Sequence, residues 1–416
     1  MELFQKLGKE IENLWLEQNY NEDLFPAICK DALIRADLPS KLSAWDVVEW
    51  ALSEYELPRQ RDLGGRFADP PITIFSGLRF QIDVYFWFEG TTATHEHSFC
   101  GAFQVLLGSS IHSWYEFETH QAINTYTQLG EMRLKDCDLL KVGDVQEIWA
   151  GSQYIHALFH LDQPSATIVV RTDRAPLHLP QFAYYKPGLA IDPFFEQDTA
   201  IKKLQVMGTL IRAKRDDADD IIGKMLKGSD LQTSFNILSR LRGLLKANKI
   251  SQLFKLDGPR ERFDKFLQIV IDRHGEGGEM FRAVFEHNDV IDHIMEQRGF
   301  VADPEQRFFM ALLLNVDGRE RIFSLIKQRF PAIEPVEKVL DWVFDLSQTR
   351  VMGVEVSNAL GIPNFGENEM FVLEHLLHGK TDQEVIAAAE PGVNPDDLIV
   401  SIERVRNAII FRPLLA

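Results

Sequence analysis

The sequence predicts a multidomain α+β protein: a helical arm, then a β-barrel, then an all-helical region. Three observations carry that expectation. Apolar residues recur at helical spacing at both ends of the chain, short alternating runs rich in β-branched and aromatic residues fill the middle, and prolines punctuate the joins. The expected boundaries are residues 1–60, 61–197 and 198–416.

The chain has 416 residues, 45% of them hydrophobic and 25% charged, which are ordinary globular values. No apolar run approaches the roughly 20 residues needed to span a bilayer. The first dozen residues include acidic side chains and no small-residue cleavage signal, so they do not read as a secretory leader. Three cysteines, Cys29, Cys100 and Cys137, argue for a reducing compartment and against a disulfide framework. A cytoplasmic location is the expectation. A net charge of −18 disfavours nonspecific binding to nucleic acid or anionic membrane.

In the arm, Leu3, Leu7, Ile11 and Leu14 mark one helical face, and Ser43 is a plausible N-cap for a helix from Ala44 to Leu52. Residues 57–66 read as a connector, with Pro70 and Pro71 at the boundary. From Ile72 to Thr172 the texture is β-rich. The clearest strands are Phe80–Phe88, Ala102–Gly108, Trp114–Thr119 and Ala166–Thr172. Residues 173–197, with Pro176, Pro180, Pro187 and Pro193, read as irregular.

Helical periodicity returns after residue 198. Phe235, Leu238, Leu241 and Leu245 form one stripe; Phe263, Phe266, Ile269 and Val270 form another. Asp303 before Pro304 signals a helix start, and Thr381 to Glu384 spells a capping box. The acidic group Asp216, Asp217, Asp219 and Asp220 suits a helix N-terminus. The basic stretch from Arg240 to Lys246 and the pair His375 and His378 both read as helix faces.

The residues that bear chemistry cluster in the β region. His95 and His97 lie one residue apart, which in a strand puts both imidazoles on the same face. His156, from a distant strand, would complete a facial three-nitrogen site. Neutral imidazoles suit iron, copper, nickel and zinc, whereas carboxylate-poor sites are weak for magnesium or calcium.

On these residues the chain resembles the cupin superfamily. Gly90, His95, His97 and Gly108 follow the first cupin motif, with Gly101 where its glutamate falls. Gly143, Asp144, Trp149, Gly151 and His156 follow the second more loosely, and His160 stands where an asparagine is usual. The resemblance spans residues 72–172. It implies a double-stranded β-helix barrel and, without the glutamate, a three-histidine centre similar to that of thiol dioxygenases.

The implied function is a mononuclear non-haem iron dioxygenase acting on a small organic substrate that chelates the metal. Fe(II) is the first expectation, with zinc, nickel, manganese and copper as alternatives. Tyr154 is a candidate hydrogen-bond donor to oxygen or substrate, and His160 a candidate catalytic or supporting residue. Gln104 would join the metal only if a bulge changed strand parity. Tyr115, Trp114 and Phe99 read first as barrel core and otherwise as pocket lining; Arg79 and Arg171 read first as ion pairs and otherwise as bidentate forks for a substrate carboxylate. His112, Glu116, Glu118 and His120 share parity and read as a solvated strand face.

A second reading is a non-catalytic cupin that senses a metal or ligand and binds a protein partner, or a second copy of itself, through its helical region. A cavity facing open coordination positions would separate the two.

Overall fold

The computed structural model describes residues 1–63, 67–88, 93–194, 198–246, 259–351, 358–390 and 393–415. Helices α1 (Glu2–Glu17), α2 (Phe25–Ala36) and α3 (Ala44–Ser53) form the arm. The stripe of α1 runs through Phe4, Leu7, Ile11 and Trp15, one residue offset from Leu3 and Leu14 at its ends. Ser43 caps α3 in a reciprocal box with Asp46.

Ten strands follow: β1 (Pro71–Ser76), β2 (Phe80–Trp87), β3 (Gly101–Leu107), β4 (Ser109–Asn124), β5 (Thr127–Lys141), β6 (Val145–Ile148), β7 (Ile155–His160), β8 (Ser165–Thr172), β9 (Ala183–Tyr185) and β10 (Leu189–Ile191). They make two antiparallel sheets, ordered β1-β2-β8-β3-β6 and β7-β4-β5-β10-β9. From β5 to β8 the chain crosses between the sheets at every strand, the pattern of a double-stranded β-helix. The expected barrel is therefore two facing sheets; the ladder does not close into a continuous ring. The stretch expected to be irregular carries β9 and β10, which pair with each other and extend the second sheet from β5.

Strand alternation divides each sheet between two environments. On β2, Phe80, Ile82, Val84 and Phe86 face outward, and with Ile168 and Val170 of β8 they share a core with the arm. Tyr85 and Trp87 face inward and meet Phe99, Phe103, Tyr154 and Val169 in a layer between the sheets.

The described residues that follow carry helices α4 (Asp198–Arg212), α5 (Ala218–Gly228), α6 (Leu231–Lys246), α7 (Pro259–His274), α8 (Glu276–Gly299), α9 (Pro304–Asn315), α10 (Arg319–Arg329), α11 (Pro335–Gln348), α12 (Glu367–Leu377), α13 (Asp382–Ala387), α14 (Pro395–Asn407) and α15 (Arg412–Leu415). Both sequence stripes are inward-facing, and Asp303 and Thr381 cap α9 and α13 as expected. Arg242 and Lys246 are neutralised by Asp289 and Asp292 of α8, so the basic stretch is no free cationic patch. The outer face of β4, β5 and β7 shares one core with α8–α12, α14 and α15. Helices thus cover both outer sheet faces, and the inner layer lies between the sheets. No helix among the described residues is long and apolar enough to cross a membrane.

Candidate metal centre and adjoining cavity

The segment carrying His95 and His97 runs beside β7. His95 and His156 exchange two backbone hydrogen bonds, 2.9 and 3.0 Å, and His95 also bridges Ala183 of β9. Gly151 N–H donates to His97 O at 2.8 Å, tying the two histidine-bearing segments together. Alternation sends the intervening Glu96 the other way. Its carboxylate accepts from Tyr184 Oη at 2.7 Å and from Phe182 N–H at 3.2 Å, pinning the segment to β9. Burial pushes the Glu96 carboxyl above its usual range.

This backbone frame gathers His95, His97 and His156, with one ring nitrogen from each inside a 4.8 Å sphere of mutual distance. His97 Nε2 and His156 Nε2 are 2.8 Å apart. The His95 ring donates from Nδ1 to Ala93 O at 2.6 Å, which leaves its Nε2 as the free lone pair. Burial is the main cause that disfavours the charged form of all three rings; for His97 and His156 the neighbouring imidazoles add to it. Three neutral imidazoles sharing one small volume are the donor set a borderline divalent transition metal requires. The residues fit such an ion.

Gly101 sits at a close approach of two strands. A Cβ placed on Gly101 would lie 1.9 Å from Val170 O and 2.9 Å from Arg171 Cα, because β3 abuts β8 there. No side chain fits at that position. Gly108 supports the turn after β3 with φ +78°. Gly90 lies outside the described residues.

His112 differs most from its sequence reading. It is fully buried, and its Nε2 lies 2.8 Å from His156 Nδ1, with the ring packed 3.9 Å from Trp114. Burial pulls its charged form down, to about 3. It orients His156 from behind, as supporting groups do for ligating histidines. Glu116 and Glu118 share its parity, and a bulge between Thr119 and Gln121 interrupts the alternation at His120; β4 also outruns the sandwich, its first half under the facing sheet and its second half in solvent.

Two further candidates lie apart from the histidine group. His160 shares the inner face with His156 but sits four residues along β7, outside the histidine group. It stacks on Trp87 at 4.6 Å, and its Nδ1 meets Ser165 Oγ at 2.8 Å. Gln104 points to the opposite face and donates to Gly143 O at 3.2 Å; the β3 irregularity falls after it, at Val105/Leu107, so parity is unchanged.

Tyr154 is buried at the centre, its ring 4.8 Å from that of His156. Its hydroxyl has no hydrogen-bond partner among the described residues. Burial raises its ionisation far above the ordinary phenol range, so it stays a donor.

A cavity of about 570 Å³ opens onto His95 and His97. Its walls include Phe67, Tyr85, Trp87, Phe99, Phe182 and Phe194; its polar groups include Gln81, Asp83 and Arg171 from inward positions of β2 and β8, with Arg61, Asp62 and Arg174 beside them. Asp83 accepts from Thr73 Oγ1 at 2.7 Å, Gln81 Nε2 at 2.6 Å and Tyr85 Oη at 3.2 Å. These polar groups were not singled out in the sequence, apart from Arg171, which was read first as an ion pair and otherwise as a carboxylate fork; Asp83 lies 4.0 Å from its Nε. Arg79 lies elsewhere, over the Tyr20 ring.

No protein family and no curated protein matches the chain. Among solved structures the chain is similar to a cupin-2 domain protein from Shewanella frigidimarina, at 14% identity over 32% of this chain and 97% of that one, TM-score 0.19. It is similar to hydroquinone 1,2-dioxygenase from Sphingomonas sp. TTNP3, at 11% identity over 30% and 87%, TM-score 0.21. A Klebsiella pneumoniae protein with a double-stranded β-helix domain shows 14% identity over 32% and 98%, TM-score 0.18.

Proposed function

We propose that this chain is a cupin-type mononuclear metal enzyme in which His95, His97 and His156 hold a divalent transition metal, iron first, and which oxidises a small organic substrate with dioxygen. The observation that carries the reading is the convergence of three neutral imidazoles at the wall of a cavity large enough for a ligand. Ferrous iron, when bound, supplies open coordination positions for substrate and oxygen.

The protein's own residues supply the rest. His95 and His97 face the cavity, whereas His156 stands behind them, held by His112. The aromatic walls exclude water, which strengthens each polar contact inside. Tyr154 offers a protonated hydroxyl next to His156.

The alternative of a non-catalytic sensor is disfavoured by the cavity itself, since a filled inner layer would serve a structural or sensing site equally well. The deciding experiment is metal analysis of protein purified without air, followed by oxygen uptake with thiols, catechols and diketones. Stoichiometric iron with substrate-dependent uptake supports the proposal. Tight stoichiometric zinc with no turnover overturns it.

A further inference from the structure

We infer that the cavity beside the histidines recognises an apolar, carboxylate-bearing organic acid, with the carboxylate seated on Arg171. The inference deepens the enzyme reading and rests on it for calling that acid a substrate.

Arg171 stands on an inward position of β8, with its side chain only 19% exposed. A guanidinium carries five N–H donors in a planar fork. Among the described residues none of the five is hydrogen-bonded. Nε is buried without a partner, and Asp83 Oδ2 lies 4.0 Å away, beyond hydrogen-bond reach. Asp83 is already engaged by Thr73, Gln81 and Tyr85. The guanidinium instead rests on the face of Phe99, 4.3 Å from its centroid, and the same ring packs 4.3 Å from His97. A fork anchored by stacking, with its donors unspent, is shaped for a bidentate oxyanion.

Two further features agree. Gln81 spends its amide N–H on Asp83 and leaves Oε1 buried without a partner, an acceptor for a hydroxyl or N–H on the same ligand. Arg174 adds a second cation at the cavity, braced by Ser98 Oγ at 3.0 Å and lying over Phe194. Because Asp83 cancels the charge of Arg171 at a distance, recognition works through directed donors rather than a net field.

The test is calorimetric titration of the metal-free protein with benzoate and with benzamide (same shape, no charge). Benzoate is expected to bind roughly tenfold to hundredfold more tightly than benzamide. Arg171→Met is expected to abolish the preference over benzamide, and Arg171→Lys to restore it only in part. Equal binding of benzoate and benzamide by the unmodified protein overturns the inference, whatever the variants do. A parallel zinc titration separates the two readings. Benzoate preference without metal binding leaves the acid pocket and removes the metal centre; metal binding without benzoate preference does the reverse.

Discussion

Replacing His112 with phenylalanine removes the group behind His156 while keeping a ring of similar size in the layer. His112 Nε2 lies 2.8 Å from His156 Nδ1, and His156 Nε2 points at His97 Nε2, also at 2.8 Å. For His156 to present the Nε2 lone pair to a metal, its one proton must sit on Nδ1, and that N–H donates to His112. In His112→Phe the N–H is buried with no acceptor, which costs about 1–3 kcal/mol. Loss of such a supporting contact weakens metal binding by roughly 10–100-fold. The assay is competition between the protein and a chromophoric chelator for zinc at about pH 7.5, a pH at which the rings are neutral because burial depresses them. Glutamine places an amide near the position of Nε2, so His112→Gln should recover most of the affinity. Unchanged zinc affinity in a folded His112→Phe protein would refute the reasoning. If that variant does not fold, an affinity of His112→Gln far below the parent's would refute it instead.

Acid should destabilise the metal-free protein through its buried imidazoles. Burial brings His112 and His160 to about 3, from 6.5 for a free ring. The unfolded chain therefore binds more protons, and stability present above pH 6.5 is lost as pH falls below it, by about 1.4 kcal/mol per pH unit for each ring. Replacing His160 with asparagine should flatten the slope between about pH 5 and pH 6 by that amount in urea unfolding; an unchanged slope would show that His160 titrates normally in the folded state. Gly101→Ala should cost about 3 kcal/mol or more, because its Cβ must push β3 off the Val170 carbonyl 1.9 Å away. It should lower the melting temperature by several degrees, and an unshifted melting curve would show that the strands have slack there.

Much of the fold was legible because it depends on local periodicity. The stripes Phe235–Leu245 and Phe263–Val270, and the caps at Ser43, Asp303 and Thr381, are read from residues within a few positions of one another. Spacing also put His95 and His97 on one face. The cavity was half legible. The outward Phe80, Ile82, Val84 and Phe86 imply inward Gln81, Asp83 and Tyr85, and Ala166, Ile168 and Val170 imply Arg171 by the same alternation.

His112 had a fainter signal, the acid-free stretch from Ser109 to Tyr115 before Glu116. Its parity alone could not separate it from His120, because burial depends on where the facing sheet ends.

The chain by itself set the order of helix and strand, the shared face of His95 and His97 and the glycine at position 101. Tertiary structure decided that His156 rather than His160 joins them, that His112 stands behind, and that Arg171 turns an unspent fork into the cavity. Those outcomes depend on strand register and on which sheet covers which face, and both are set by contacts between residues tens of positions apart.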